Sequence, residues 1–184
     1  MQDYIDFAAK NGVLLLKSGA CQFCGANTKR GIHECLEIFN FGFGEIDFSK
    51  KENHMYKFLM VDAHTLQHPE IHGRWNNHFH LSRLHLILKH DVKWSYRHSP
   101  MLSNYLKVYK IDKQNEYLIP PEVLKRGTIT TTDILKNTKN ASDRKALIFE
   151  WATEVHRTWH SSHHVAETIA KEFLNRNKSL NELI

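Results

Sequence analysis

Cys21, Cys24 and Cys35 are the three cysteines of this 184-residue chain, and they fall within fifteen positions, as Cys21-Gln-Phe-Cys24-Gly25-Ala26 followed by His33-Glu-Cys35. Two thiolates three residues apart can grip one ion from a tight turn, and a glycine after the second lets the backbone fold close to the sulfurs. A third cysteine and a histidine complete the donor set of a closed zinc site, because thiolates favour Zn2+ over hard cations. The candidate ligands are therefore Cys21, Cys24, Cys35 and His33. The His-x-Cys spacing crowds two ligands together, so a histidine from another helix is the alternative fourth donor. A thioredoxin-like redox pair is the competing reading, but such pairs follow a strand, and no strand pattern precedes Cys21.

Histidine is the second source of chemistry, with fourteen in the chain. His64 and His68 are spaced i, i+4 and project from one side of a helix. His156, His160 and His164 repeat at the same interval with His163 beside them, and His78 and His85 are seven apart. A bundle that turns these faces inward would assemble a second, water-accessible metal site from His64, His85, His160 and His164. Asp62 lies four residues from both Phe58 and Leu66, on an apolar stripe where an unpaired carboxylate is costly. It is expected to orient a ligand histidine, and Asp62 or His163 is the candidate catalytic base. Helical histidines are also commonly surface or hydrogen-bonded core residues, and His72, His78, His90 and His98 are read that way. Trp151 and Trp159, at helical spacing, are read as core. The chain has no glycine-rich phosphate loop, nucleophile elbow or His-Glu-x-x-His motif.

The elements that must position these residues are helical. Tyr4, Phe7, Ala8 and Leu14 or Leu15 predict a helix from about Asp3 to Lys17, and residues 20–35 read as the metal loop. Leu36, Phe39 and Phe43 predict a helix from near His33. Asn53 is the expected N-cap of a helix over 54–68 that Pro69 ends. A largely apolar helix follows over 73–90, then a shorter one over 100–109. Residues 111–145 read as an irregular connection, with Thr132 capping a short helix and Asn140 or Ser142 opening a last long helix over about 145–177. The fold class expected is mainly α: a single-domain helical bundle spanning 1–184, with main helices in 54–90 and 145–177 and an N-terminal zinc-binding loop.

Composition limits the function classes. Hydrophobic residues make up 41% and charged residues 24%, ordinary values for a globular protein large enough to fold without metal. No stretch approaches a membrane span. The acidic N-terminus lacks the basic start and apolar core of a secretory signal, and the odd, crowded cysteines do not suggest a disulfide framework, so a cytoplasmic setting is expected. The net charge of +5 belongs to the middle third: residues 72–145 carry 14 Lys/Arg against 6 Asp/Glu. That segment is either a solvated face or a contact for nucleic acid or an acidic protein partner.

Cys21-x2-Cys24-Gly25-Ala26, Cys35-x3-Phe39, His54…Val61-x5-Gln67-His68-Pro69 and Trp159-x3-His163 together resemble an uncharacterised bacterial family, a domain of unknown function, over about residues 20–175. The resemblance implies no reaction. It implies special weight for Cys21, Cys24, Cys35, His54, His68 and His163, and it leaves His33 outside the pattern. On that basis His68 or His163 would complete the cysteine site. Histidines from separate helices are also distantly similar to the DinB/YfiT type of helical metalloprotein, which includes thiol transferases and hydrolases, although the Cys-x2-Cys start departs from it. Three functions follow as expectations: a metal-dependent hydrolase or transferase, a structural-zinc binding module that uses the basic segment, and a regulator that releases its ion on thiol oxidation.

Overall fold

A computed structural model describes residues 2–41, 46–108 and 118–177. The chain is mainly α: the described residues form eight α-helices and no strand, and none of the helices is long and apolar enough to cross a membrane. Helix α1 is Gln2–Lys10, α2 Gly31–Phe41, α3 His54–Gln67, α4 Arg74–Lys89, α5 His98–Val108, α6 Thr131–Asn137, α7 Ala141–Thr158 and α8 His163–Arg176. Phe43, expected on α2, and Tyr109, expected on α5, lie outside the described residues.

Apolar periodicity accounts for the arrangement. Helix α3 packs against α4 and α7, and α4 against α8. Leu59 and Leu66 of α3, Leu81 and Leu84 of α4, Ile148, Trp151 and Val155 of α7, and Ile169 and Phe173 of α8 make one buried core. A second, smaller core lies around the cysteines, which pack with Ala8, Phe23, Ala26, Ile32 and Ile71. The N-terminal loop therefore has an apolar seat of its own, and the sulfurs are part of it.

Several boundaries differ from those the sequence predicts, each for a local reason. Helix α1 stops at Lys10, not near Lys17; Val13 N–H reaches back to the Ala8 carbonyl at 2.8 Å, and Leu14 is 78% exposed. Asn53 does not cap α3 with its side chain, whose Nδ2 donates instead to the Asp47 carbonyl at 2.7 Å. Thr130 rather than Thr132 opens α6, in a capping box with Asp133. Asn140 does cap α7, accepting from Asp143 N–H at 2.9 Å.

The largest difference is that the long helix over 145–177 is two helices. Trp159 leaves helical geometry with its N–H on the His156 carbonyl at 3.1 Å, and a 3-10 turn, His160–Ser162, leads into α8. Two side chains fix this break. The fully buried Trp159 indole donates to the Leu66 carbonyl at 3.2 Å, and the His163 ring donates to the His156 carbonyl at 2.8 Å. Both satisfy carbonyls that helix ends leave without intrahelical partners.

Candidate metal centre

The Cys-x2-Cys loop is a tight knuckle. Cys21 N–H donates to the Ala26 carbonyl at 2.9 Å and Gly25 N–H to the Cys21 carbonyl at 2.8 Å. Gly25 adopts φ +77°, a left-handed conformation that glycine takes without strain. This closure aims both sulfurs to one side. Cys35 comes from the second turn of α2, and that helix starts at Gly31, whose N–H donates to the Gly19 carbonyl at 2.9 Å.

The fourth donor comes from across the molecule. His68 is the residue that ends α3, and Pro69 immediately after it prevents the helix from continuing. Its Nδ1–H donates to the His64 carbonyl, one turn back, at 2.6 Å. That bond consumes a carbonyl at the helix end and turns Nε2 towards the sulfurs, where it would become the donor to an ion on losing its proton. Nε2 lies 3.4 Å from Cys21 Sγ and 3.6 Å from Cys35 Sγ, and Cys24 Sγ lies 3.8 Å from Cys35 Sγ. The four ligand atoms are all within 4.8 Å of one another, and all four residues are buried.

These separations carry chemical information. A disulfide would bring two sulfurs to about 2.05 Å. A tetrahedron with Zn–S of about 2.3 Å and Zn–N of about 2.05 Å has S···S edges of about 3.8 Å and S···N edges of about 3.6 Å. The Cys24–Cys35 edge of 3.8 Å and the two edges from His68 Nε2, 3.4 and 3.6 Å, match the second figure and not the first, and all three cysteines are free.

Electrostatics agree with the geometry. Hydrogen bonds from the Cys24 and Cys35 thiols, and then His68, hold the Cys21 thiol far below its ordinary range against the effect of burial. Its neighbours' sulfurs and burial push the Cys24 thiol up. Burial disfavours the His68 imidazolium, but hydrogen bonds to the Cys21 and Cys35 sulfurs outweigh it and hold its pKa at about 10. The site thus wants positive charge beside sulfur, and a divalent cation would provide it while letting further thiols ionise.

The surroundings fix His68 in place. Its ring stacks on His64 at a centroid distance of 4.2 Å, and His64 stacks in turn on Phe39 at 4.0 Å. Gln67, fully buried, donates from Nε2 to the Arg126 carbonyl at 3.1 Å and the Ile129 carbonyl at 2.9 Å. Arg126 answers by donating to the Gln67 carbonyl at 3.1 Å and to Glu70 at 2.8 Å. Leu124 N–H donates to the Phe23 carbonyl at 3.2 Å. The segment over 118–130, read from sequence as an irregular connection, is therefore a strap across the cysteine loop.

The remaining candidates are placed as follows. His33 is not in the group; its Nδ1 pairs with the Tyr4 hydroxyl at 2.7 Å. His64 flanks the site, with Nε2 3.8 Å from Cys35 Sγ, and burial keeps it neutral. Asp62 is not among the residues grouped at the sulfurs: it is fully buried and paired with Arg83 at 2.6 Å and His80 at 2.7 Å, tying α3 to α4. His54 packs edge-on to Tyr96. His163 is not in the cysteine group and gathers instead with His85 and His156. The set His64, His85, His160 and His164 is not assembled: the turn after Trp159 leaves His160 and His164 exposed, and His64 belongs to the cysteine end. The residues that do converge on His85 include His90, assigned from sequence to an ordinary role, and Glu167, which sequence analysis missed although it lies four residues after His163.

A family model, described as a family of unknown function (DUF5946), matches residues 19–160, from just before the knuckle to just after Trp159. The chain belongs to this family. The match contains all four residues of the Cys3His group, and both residues of the Trp159–Leu66 contact. No curated protein and no solved structure matches the chain.

Proposed function

We propose that this chain is a zinc-binding helical protein in which Cys21, Cys24, Cys35 and His68 hold one Zn2+ as a closed structural site. The observation that carries the reading is the agreement of the Cys24–Cys35 S···S separation, 3.8 Å, and of the two S···N separations from His68, 3.4 and 3.6 Å, with edges of a Cys3His tetrahedron. Three thiolates and one imidazole suit zinc better than magnesium or calcium. Four buried protein donors leave no position for a reacting water, which supports a fastening role over hydrolase or transferase chemistry at this ion. What the ion would fasten is visible in the contacts: the knuckle, α2 and the C-terminus of α3, with the strap over 118–130 laid across them.

Metal content and melting temperature of the purified, untagged protein test this. Cys24→Ser and His68→Ala should each lose the ion and about 3 kcal/mol or more of stability, which lowers Tm by roughly 6–12 °C in a chain of this size. His33→Ala should keep the ion. Unchanged zinc in Cys24→Ser would overturn the reading.

A further inference from the structure

A second constellation lies at the far side of α4, where His85 and His90 face Glu167 of α8. His85 Nε2 and His90 Nε2 both point at the same oxygen, Glu167 Oε2, each at 2.8 Å. Behind them, His85 Nδ1 lies 3.0 Å from His156 Nε2, and His156 stacks on His163 at 4.1 Å. Exposure grades outward across the three, with side chains 5% exposed at His85, 21% at His90 and 33% at Glu167. They line a shallow open depression with Lys89, His163 and His164.

We propose that His85, His90 and Glu167 form a second metal site that takes one divalent transition-metal ion and leaves coordination positions open to solvent. Two imidazoles and one carboxylate suit Zn2+, Fe2+, Mn2+ and their neighbours, and three protein donors do not complete the shell of any of them. Bonds of about 2.1 Å in an octahedral shell give ligand edges of about 3.0 Å, close to the 2.8 Å that separates each imidazole Nε2 from Glu167 Oε2. His156 is the positioning residue. With the ion on Nε2, His85 carries its proton on Nδ1 and donates it to His156 Nε2, the outer-shell bond that fixes a ligand histidine. Glu167 Oε1 is held by Lys171 at 3.0 Å, which leaves Oε2 for the ion. The depression gives an exchangeable water or a small anionic ligand access to the open positions, which the buried cysteine site does not offer.

The test titrates chelator-treated protein with Co2+, whose thiolate charge-transfer band marks the cysteine site and whose total uptake counts both. Wild type should take two equivalents, only one of them producing the thiolate band. His90→Ala and Glu167→Gln should take one equivalent with the band intact, and that band certifies that the variant is folded. Cys24→Ser should still take the ion that has no thiolate character, so failure of either site is read separately. Saturation of wild type at the thiolate equivalent alone, or a second equivalent that survives His90→Ala, would overturn the proposal. So would loss of the second equivalent in His163→Ala but not in His90→Ala, because the ion would then lie among His85, His156 and His163.

Discussion

At the scale of single residues, sequence spacing was enough to bring the three cysteines together as one group, whereas the placement of the histidines depends on partners distant in sequence. The i, i+4 pair His64 and His68 illustrates the difference. Spacing places both on one face of α3, yet only His68 turns Nε2 to the sulfurs, because α3 ends there and the His64 carbonyl takes the Nδ1 proton. Asp62 was rightly marked as a carboxylate needing a partner; the partners, Arg83 and His80, are 21 and 18 residues away. Asp62→Asn should therefore destabilise the fold by about 3–5 kcal/mol by leaving the Arg83 guanidinium buried and uncompensated. Metal content should be unchanged, and urea denaturation of zinc-loaded protein checks both. His72 gives a pH prediction. Burial, then repulsion from His80 and His68, holds its pKa at about 3, below the usual value of about 6.5 for an unfolded chain. The unfolded state therefore binds the proton first, so the stability His72 contributes is complete above about pH 6.5 and is lost as pH falls towards 3. In chelated protein the urea midpoint should drop between pH 7 and pH 5, and His72→Gln should flatten that drop. Equal slopes in the two proteins would refute it.

At the scale of elements, helix existence followed from apolar periodicity, and helix ends did not. The break at Trp159 has no proline or glycine to announce it; it is imposed by tertiary bonds to the Leu66 and His156 carbonyls. The 118–130 strap was illegible for a related reason, since it is held by Gln67, Glu70 and Glu154 and by one backbone bond to the knuckle, partners distant in sequence. The turn before α2 is the element on which the cysteine site most depends. Gly31 has φ +57°, and a Cβ built there would lie 2.4 Å from the Leu16 carbonyl oxygen. Gly31→Ala should cost roughly 2–4 kcal/mol through left-handed strain and backbone collision, and it should weaken zinc retention by displacing Cys35. A competition assay against a chromophoric chelator reads that loss, and unaltered retention would show that α2 reaches the site independently of this turn.

At the scale of the whole molecule, two cores of unequal size meet at the end of α3. The larger belongs to the bundle, and the smaller is built around sulfur and carries the N-terminal segment and α2. The charge excess of the middle third looks different in three dimensions. Arg83, Arg126 and Arg144 are buried and bonded to Asp62, Glu70 and Thr138, so part of it is consumed inside the fold. The account rests on one ion joining the small core to the bundle. Zinc K-edge X-ray absorption on protein loaded with one equivalent tests that directly. A shell of three sulfurs at about 2.3 Å and one nitrogen at about 2.0–2.1 Å is the predicted result. A shell of nitrogen and oxygen alone would contradict it.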